Sequence, residues 1–223
     1  MKHRMASHIF TSIARHQIED FREVVEFAEG NLKAEMKRLE KYVSQKLHGL
    51  SEVEQREAAD WYADDFYRVD KLYPEIQRRA LFTTLMCMTE ANLLLACRMC
   101  KRAFDLPQEF KVKGKARTIV QAMDYLRANL TIRDREIGPH WDTVQLLWSI
   151  RNALVHNDGK PKPAGRDSIA EFCTSVATFE LDHLGRIVLK AGGVEMALDA
   201  VEHLFSGLIA EINRNPLPNN GVL

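Results

Sequence analysis

The first hundred residues contain very few residues that interrupt a helix, and this constrains the fold more than any other feature. Apolar side chains recur near helical spacing over residues 6–48, which predicts one long helix. Ser51, followed three positions later by Glu54, has the capping-box pattern that begins a second helix over 52–104. We expect Pro74 to kink or split this second helix, because proline lacks an amide donor and crowds the preceding turn.

Shorter elements follow in the second half of the chain. We expect residues 164–172 to form either a loop or a helical turn. The pair Gly138–Pro139 predicts a break in helical structure at this point of the chain. The other predicted elements are a loop over 105–116, helices over 118–130, 140–156 and 195–212, and a β-hairpin over 176–190. The predicted fold class is therefore mostly α, with a long N-terminal helical region and a small peripheral hairpin.

A chain of 223 residues fits one domain, or one domain with an appended hairpin or helix. We expect a single domain over 1–223, with a core of about 70–212, a helical extension of about 6–69 and a frayed tail at 213–223. Lys plus Arg and Asp plus Glu both total 31, so the formal net charge is zero. With no net charge, the protein as a whole does not attract nucleic acid electrostatically, so any RNA contact requires a local basic patch.

Three features indicate a cytoplasmic protein that does not enter a membrane. No sustained apolar segment follows Met1, which predicts no signal peptide. The longest apolar run, 80–96, contains Glu90 and Asn92, so it is expected to be a buried core helix rather than a bilayer span. Four cysteines in a chain of this length do not indicate a disulfide scaffold.

The candidate chemistry lies at the end of the predicted helix over 140–156, where Arg151 and Asn152 precede His156. Arginine is a permanent planar cation and histidine is a base that also serves as an acid near neutral pH, so together they can cleave RNA without a metal. The alternative is ordinary helix termination, because Arg and His are favourable at a helix C-terminus. Spacing alone does not decide between them, because Arg135 and His140 have the same spacing; we expect no helix to hold that pair, since it spans Gly138–Pro139.

Helical geometry adds a requirement. Residues five apart on a helix are separated by about 140° around the axis and about 7.5 Å along it, so Arg151 and His156 do not lie on the same face of the helix. Asn152 and His156, which are four residues apart, do lie in one stripe along a single face. An irregular last turn with the long arginine side chain, or a second protomer, is needed to bring Arg151 and His156 together.

The motif and its flanks resemble the HEPN superfamily, whose hallmark is an Arg, a polar residue, a few further residues and a His. Arg151 to His156 fits that pattern with Asn152 as the polar residue. Several flanking features, spread over about residues 70–212, are similar to bacterial members. They are Gly114-Lys115-Ala116-Arg117, Tyr125-Leu126, Trp141, Ile150, Gly159, Glu90-Ala91-Asn92-Leu93, and the hairpin with its closing helix.

The resemblance implies a helical bundle that often forms a homodimer with the motif helices at the interface. It further implies a metal-independent endoribonuclease without a cofactor, with an RNA substrate and with an antitoxin or another defence-system protein as partner. In this interpretation His156 is the general acid or base, Arg151 stabilises phosphoryl charge, and Asn152 orients His156 or the phosphate. The alternative is a non-catalytic HEPN-like module for dimerisation or partner binding.

Further candidates have simpler structural explanations. Glu90 in an apolar helix needs a partner, and we consider Arg151, Arg98 or a backbone group. Lys113, Lys115 and Arg117 belong to the only basic concentration, which either receives an RNA backbone or is solvated loop charge. Cys97 and Cys100 form a lone CxxC pair expected in the core, and the acidic run after Ser51 is expected to be a solvated helix face rather than a metal site.

Overall fold

The computed structural model describes the backbone of residues 2–114 and 118–215, and their side chains from Ser12 onward. The helices are α1 (Lys2–Leu47), α2 (Glu52–Tyr67), a π-helical segment (Arg68–Leu72), α3 (Tyr73–Ala103), α4 (Thr118–Asn129), α5 (Asp134–His156), a 3-10 turn (Pro163–Gly165), α6 (Arg166–Ser175) and α7 (Gly193–Arg214). Two short strands, β1 (Phe179–Leu181) and β2 (Ile187–Leu189), form an antiparallel hairpin with Glu180 opposite Val188. The predicted mostly-α class with a small hairpin is confirmed.

Helix α3 is the centre of the molecule, with α1, α4, α5 and α7 packed around it. Its side chains from Phe82 to Ala96 include several that are fully buried, so the apolar run forms the core as predicted. The stretch Glu52–Ala103 is the one in the described chain that is long and apolar enough to cross a membrane by length and composition, and 44% of its apolar window is buried inside the protein.

The N-terminal helices begin and end close to where the sequence predicts. At the start of α2, the Ser51 side chain accepts a hydrogen bond from the backbone N–H of Glu54, and the Glu54 carboxylate accepts one from the backbone N–H of Ser51. Pro74 does not end the helix. The chain passes through one wide π-helical turn immediately before it, in which the N–H of Tyr73 bonds the carbonyl of Arg68, and continues as α3.

The predicted break at Gly138–Pro139 is wrong. Helix α5 already begins at Asp134, so Pro139 lies in its second turn, where it removes a single backbone hydrogen bond near the helix start. The buried carboxylate of Glu211 on α7 fixes this start by accepting a hydrogen bond from the backbone N–H of Arg133 at 3.1 Å. The pair Arg135 and His140 therefore lies on the same helix as Arg151 and His156.

The remaining elements complete the bundle. The segment 164–172, for which a loop or a helical turn was expected, is the 3-10 turn and most of α6. The hairpin joins the core through Phe179, whose ring packs edge-on against Phe82 and Phe172. Helix α7 extends to Arg214, and the side chain of Asn215 bonds the backbone of Thr131 at both its N–H and its carbonyl. Residues 216–223 of the predicted tail lie outside the described residues.

Candidate active site at the end of α5

The C-terminal end of α5 is anchored to the hairpin and to α3. The carbonyl of Ala153 accepts hydrogen bonds from the N–H groups of Asn157 at 3.0 Å and Gly159 at 2.9 Å. The carbonyl of Gly159 in turn accepts one from the N–H of Ile187 on β2 at 3.0 Å. Gly159 has φ +80, a left-handed backbone conformation that favours glycine. The helix end is thus held in one position.

Arg151 is half-buried, and its guanidinium is held by contacts with three side chains. Nη1 donates to Oδ1 of Asn152 at 3.0 Å, and Nη2 lies 3.5 Å from Sγ of Cys87 on α3. The guanidinium carbon lies 5.1 Å from the ring centroid of Trp148, a cation–π geometry. Nε is buried and has no hydrogen-bond partner among the described residues. The planar cation is therefore oriented, and it retains donor capacity.

His156 is exposed at the very end of α5. In the described part of the chain its ring makes no hydrogen bond, either to Asn152 or to Arg151. Asn152, which shares the stripe of His156, is bound to Arg151 instead. The helix is regular through His156, so the irregular last turn that would bring Arg151 and His156 together within one chain does not occur.

Two arginines that are distant from the motif in sequence, Arg79 and Arg186, lie at this helix end. Nη2 of Arg79 on α3 donates to the carbonyl of Leu154 at 3.1 Å, which satisfies an acceptor in the last turn of α5. Arg79 also lies 4.0 Å from the exposed carboxylate of Asp158, which Arg186 approaches to 3.9 Å. Nothing in the sequence pattern marks Arg79, because its contact with Leu154 joins residues 75 positions apart.

The hairpin turn beside this end is itself organised by a carboxylate. Asp182 accepts hydrogen bonds from the backbone N–H groups of Arg186 and Leu184 and from the Arg186 guanidinium, each at 2.8 Å. These bonds, the backbone N–H of Arg186 first, lower the pKa of Asp182 to about 2. Asp182 therefore stays ionised at neutral pH and positions Arg186 toward Asp158.

The other predicted site residues do not gather at the motif. Glu90 lies on α3 one helical turn beyond Cys87, is half-buried, and forms no ion pair with Arg151 among the described side chains. Lys113 pairs its backbone N–H and carbonyl with the side-chain amide of Gln121 on α4, at the edge of a cavity of about 590 Å³. Lys115 and Arg117 lie outside the described residues.

The position of Lys113 is set by α4, which meets α3 near Cys97, whose Sγ bonds the carbonyl of Ala122. The end of α5 meets α3 at Arg79 instead. Eighteen residues of helix separate Cys97 from Arg79, a distance of about 27 Å along the axis. Lys113 thus lies toward the opposite end of α3 from the motif.

The remaining cysteine and acidic candidates have structural roles. Burial raises the pKa of Cys97 and of Cys100 to about 12, so both remain thiols in the core at neutral pH. Among the described residues, no group of three or more His, Cys, Asp and Glu side chains is arranged to hold a metal ion. The acidic side chains of α2 lie on an exposed helix that buries no residue.

Comparison of the chain with protein-family models, with curated proteins and with solved structures gave no match.

Proposed function

We propose that this chain is a metal-independent endoribonuclease of the HEPN type, with His156 and Arg151 as its catalytic residues. The observation that carries the proposal is the contrast between the two side chains at one helix end. His156 is exposed and unbonded within the described chain, whereas Arg151 is oriented by Asn152, Trp148 and Cys87. A free imidazole and a positioned guanidinium are the two groups that RNA cleavage requires.

The reaction follows from these two groups. His156 accepts the proton of a ribose 2′-hydroxyl as the 2′ oxygen attacks the adjacent phosphorus, and the bond from phosphorus to the 5′ oxygen breaks. An imidazolium returns a proton to the leaving 5′ oxygen. Arg151 donates hydrogen bonds to the phosphoryl oxygens as negative charge develops, and Asn152 holds its guanidinium. The products are a 2′,3′-cyclic phosphate and a 5′-hydroxyl, so DNA is not cleaved.

The proposal includes a homodimer, because the two groups do not meet within one chain. Arg151 turns toward α3 and Asn152, whereas His156 faces solvent at the end of the helix. Two α5 ends facing each other place Arg151 of one protomer near His156 of the other. The exposed Val155 beside His156 is available for such a contact.

The test is cleavage of a labelled single-stranded RNA in the presence of EDTA. We expect His156→Ala to slow cleavage by about 10²–10⁴-fold, and Arg151→Ala to slow it by about 10²–10³-fold. Arg135→Ala and His140→Ala are matched controls, because this pair has the same spacing on the same helix, and they should retain activity. Equal cleavage by all variants, or no cleavage by the wild type, would contradict the proposal.

A second candidate is a non-catalytic dimerisation or partner-binding module. It is favoured by exposed apolar side chains beside the motif, Val155 at 45% exposure and Ile76 at 59%, one turn before the Arg79 that bonds α5. An inert wild type whose oligomeric state changes in Val155→Asp would support this candidate. RNA cleavage that is lost in His156→Ala would support the nuclease.

A further inference from the structure

The arm, which we define as residues 30–67, comprises the distal part of α1, the turn at Gly49 and helix α2. Val43 is the one buried residue within it, and α2 buries none. Two helices that bury so little have few contacts to stabilise them in isolation. Exposed aromatic side chains accompany this sparse packing: Trp61 is 82% exposed and Tyr42 is 48% exposed. These features indicate a surface that contacts another molecule.

The charges of the arm are divided between its two helices. Helix α2 has six acidic side chains and one basic one, a net charge of −5, whereas residues 30–47 have five basic and two acidic side chains, a net charge of +3. No ion pair joins the two helices in the described chain. Their interhelical aromatic contact is between Tyr42 and Tyr62, with ring centroids 6.0 Å apart. The opposite charges are thus available to a partner.

Helical spacing puts these groups in two stripes. Trp61 is flanked at four-residue spacing by Glu57 and Asp65, about 100° around α2 from the Tyr62 that faces α1. Tyr42 is flanked in the same way on α1 by Arg38 and Lys46, and the Lys46 ammonium lies 5.6 Å from the Tyr42 ring centroid. Both helices are right-handed and they run antiparallel, so the two stripes lie on the same side of the arm.

The two stripes match level by level. The contact of Tyr42 with Tyr62 sets the register of the two antiparallel helices, and counting along each from this contact puts Arg38 level with Asp65, nearest the body of the protein. Lys46 lies level with Glu57 near the tip, and the two aromatic residues lie between these levels. A hollow of about 290 Å³, lined by Glu35, Arg38, Leu39 and Tyr42, opens beside the basic stripe. It has room for an indole ring.

We propose that the arm is a self-association surface whose partner is the arm of a second copy of this chain. A twofold axis parallel to the arms lays the acidic stripe of one copy over the basic stripe of the other. Trp61 of each copy then enters the hollow beside Tyr42 of its partner, and Asp65 and Glu57 meet Arg38 and Lys46. Every contact occurs twice, as an isologous interface requires.

The size of the face sets the expected strength of association. Helix α2 is about 24 Å long, and two adjacent helices are about 20 Å wide, which gives about 480 Å² per copy. Close to 1,000 Å² in total is the lower limit for a specific interface, so we expect a weak, reversible dimer. Two of these charged groups already have ion-pair partners three residues away: Arg38 pairs with Glu35 at 2.7 Å, and Asp65 pairs with Arg68 at 3.6 Å. Both pairs are exposed and contribute little to stability, so they do not prevent the dimer from forming.

The test is sedimentation velocity of the full chain over a series of concentrations. The wild type should associate reversibly, and Trp61→Ala and Arg38→Glu should each weaken association about tenfold or more, a change of about 1.4 kcal/mol. Arg38→Glu places like charges at the interface, and the double variant Arg38→Glu/Asp65→Arg reverses both members of each pair. We expect the double variant to recover association.

Matched controls use the opposite side of the arm. Lys37→Glu makes the same charge change one residue away, and Val53→Ala removes an exposed apolar side chain that points away from α1. Both should associate as the wild type does. A wild type that is monomeric throughout, or a dimer unaffected by Trp61→Ala and Arg38→Glu, would overturn the proposal. A dimer unaffected by both variants would contradict the arm interface alone. A wild type that is monomeric throughout would also contradict the α5 homodimer of the proposed nuclease, whose cleavage assay is a separate measurement.

Discussion

Replacement of Arg78 by methionine should destabilise the protein strongly, because it leaves Glu29 without its ion-pair partner. Nε and Nη2 of Arg78 on α3 donate to the two carboxylate oxygens of Glu29 on α1, at 2.6 and 2.8 Å. The side chains are 15% and 10% exposed. Removal of one partner of a buried pair costs about 3–5 kcal/mol. Both residues border a cavity of about 460 Å³, which reduces the desolvation of Glu29, so we expect a loss near the lower limit.

Urea unfolding followed by circular dichroism measures this loss. With a slope of about 3 kcal/mol per molar urea, a loss of about 3 kcal/mol lowers the midpoint by about 1 M. The double variant Glu29→Leu/Arg78→Met removes both charges, and we expect its free energy of unfolding to lie within about 1 kcal/mol of the wild type. Arg22→Met is the control, because Arg22 also tethers α1, through exposed pairs with Asp199 and Glu202, and should cost less than about 1 kcal/mol.

Two outcomes would refute this reasoning. A loss below about 1 kcal/mol for Arg78→Met would mean that the pair acts as an exposed surface pair. A double variant as unstable as the single one would mean that the lost packing of the arginine stem, rather than the unpaired carboxylate, causes the loss.

Three further predictions address packing, thiol reactivity and pH. Gly207→Ala should lower the free energy of unfolding by about 1–3 kcal/mol, measured by thermal or urea unfolding, because the new Cβ would lie 3.0 Å from a side chain and 3.3 Å from a carbonyl oxygen of α5. Gly30→Ala should raise the free energy of unfolding by up to about 1 kcal/mol, because no atom lies within 4 Å of the new Cβ. Iodoacetamide at pH 8 should label the exposed Cys87 before the buried Cys97, whose pKa is raised to about 12, and equal labelling in peptide mass spectrometry would contradict the burial. The Asp182 carboxyl should titrate near pH 2 by NMR. Because its pKa is lowered in the folded state, its contribution to stability should be present above about pH 4 and decline toward pH 2, and Asp182→Asn should remove this dependence.

The long helices could be predicted from sequence because their signals are local. Periodicity and the Ser51 capping box mark α1 and α2, and the apolar run marks α3. The start of α5 could not be predicted, because Glu211, 78 positions away, accepts the backbone N–H of Arg133. A local rule places a break at Pro139, but that long-range bond holds the helix start upstream, so the helix continues through Pro139 with the loss of one backbone hydrogen bond.

In the candidate site too, residues marked by local sequence signals could be predicted, and residues placed by long-range contacts could not. Arg151, Asn152 and His156 stand out because they are close in sequence at a predicted helix end. Arg79 does not, because only the packing of α3 against α5 brings it to Leu154. By sequence, Lys113 is a candidate for receiving an RNA backbone, but the contact of α4 with the far end of α3 places it away from the motif. Helical context also fails to single out the motif, since α5 includes Arg135 and His140.

The most direct test of the central claim compares one RNA oligonucleotide with the DNA oligonucleotide of the same sequence, in EDTA, with wild-type protein and His156→Ala. Mass spectrometry of the products identifies their termini. The proposed reaction predicts a 2′,3′-cyclic phosphate and a 5′-hydroxyl from RNA with the wild type alone, and intact DNA throughout. Cleavage of DNA, termini of another kind, or undiminished cleavage by His156→Ala would contradict it.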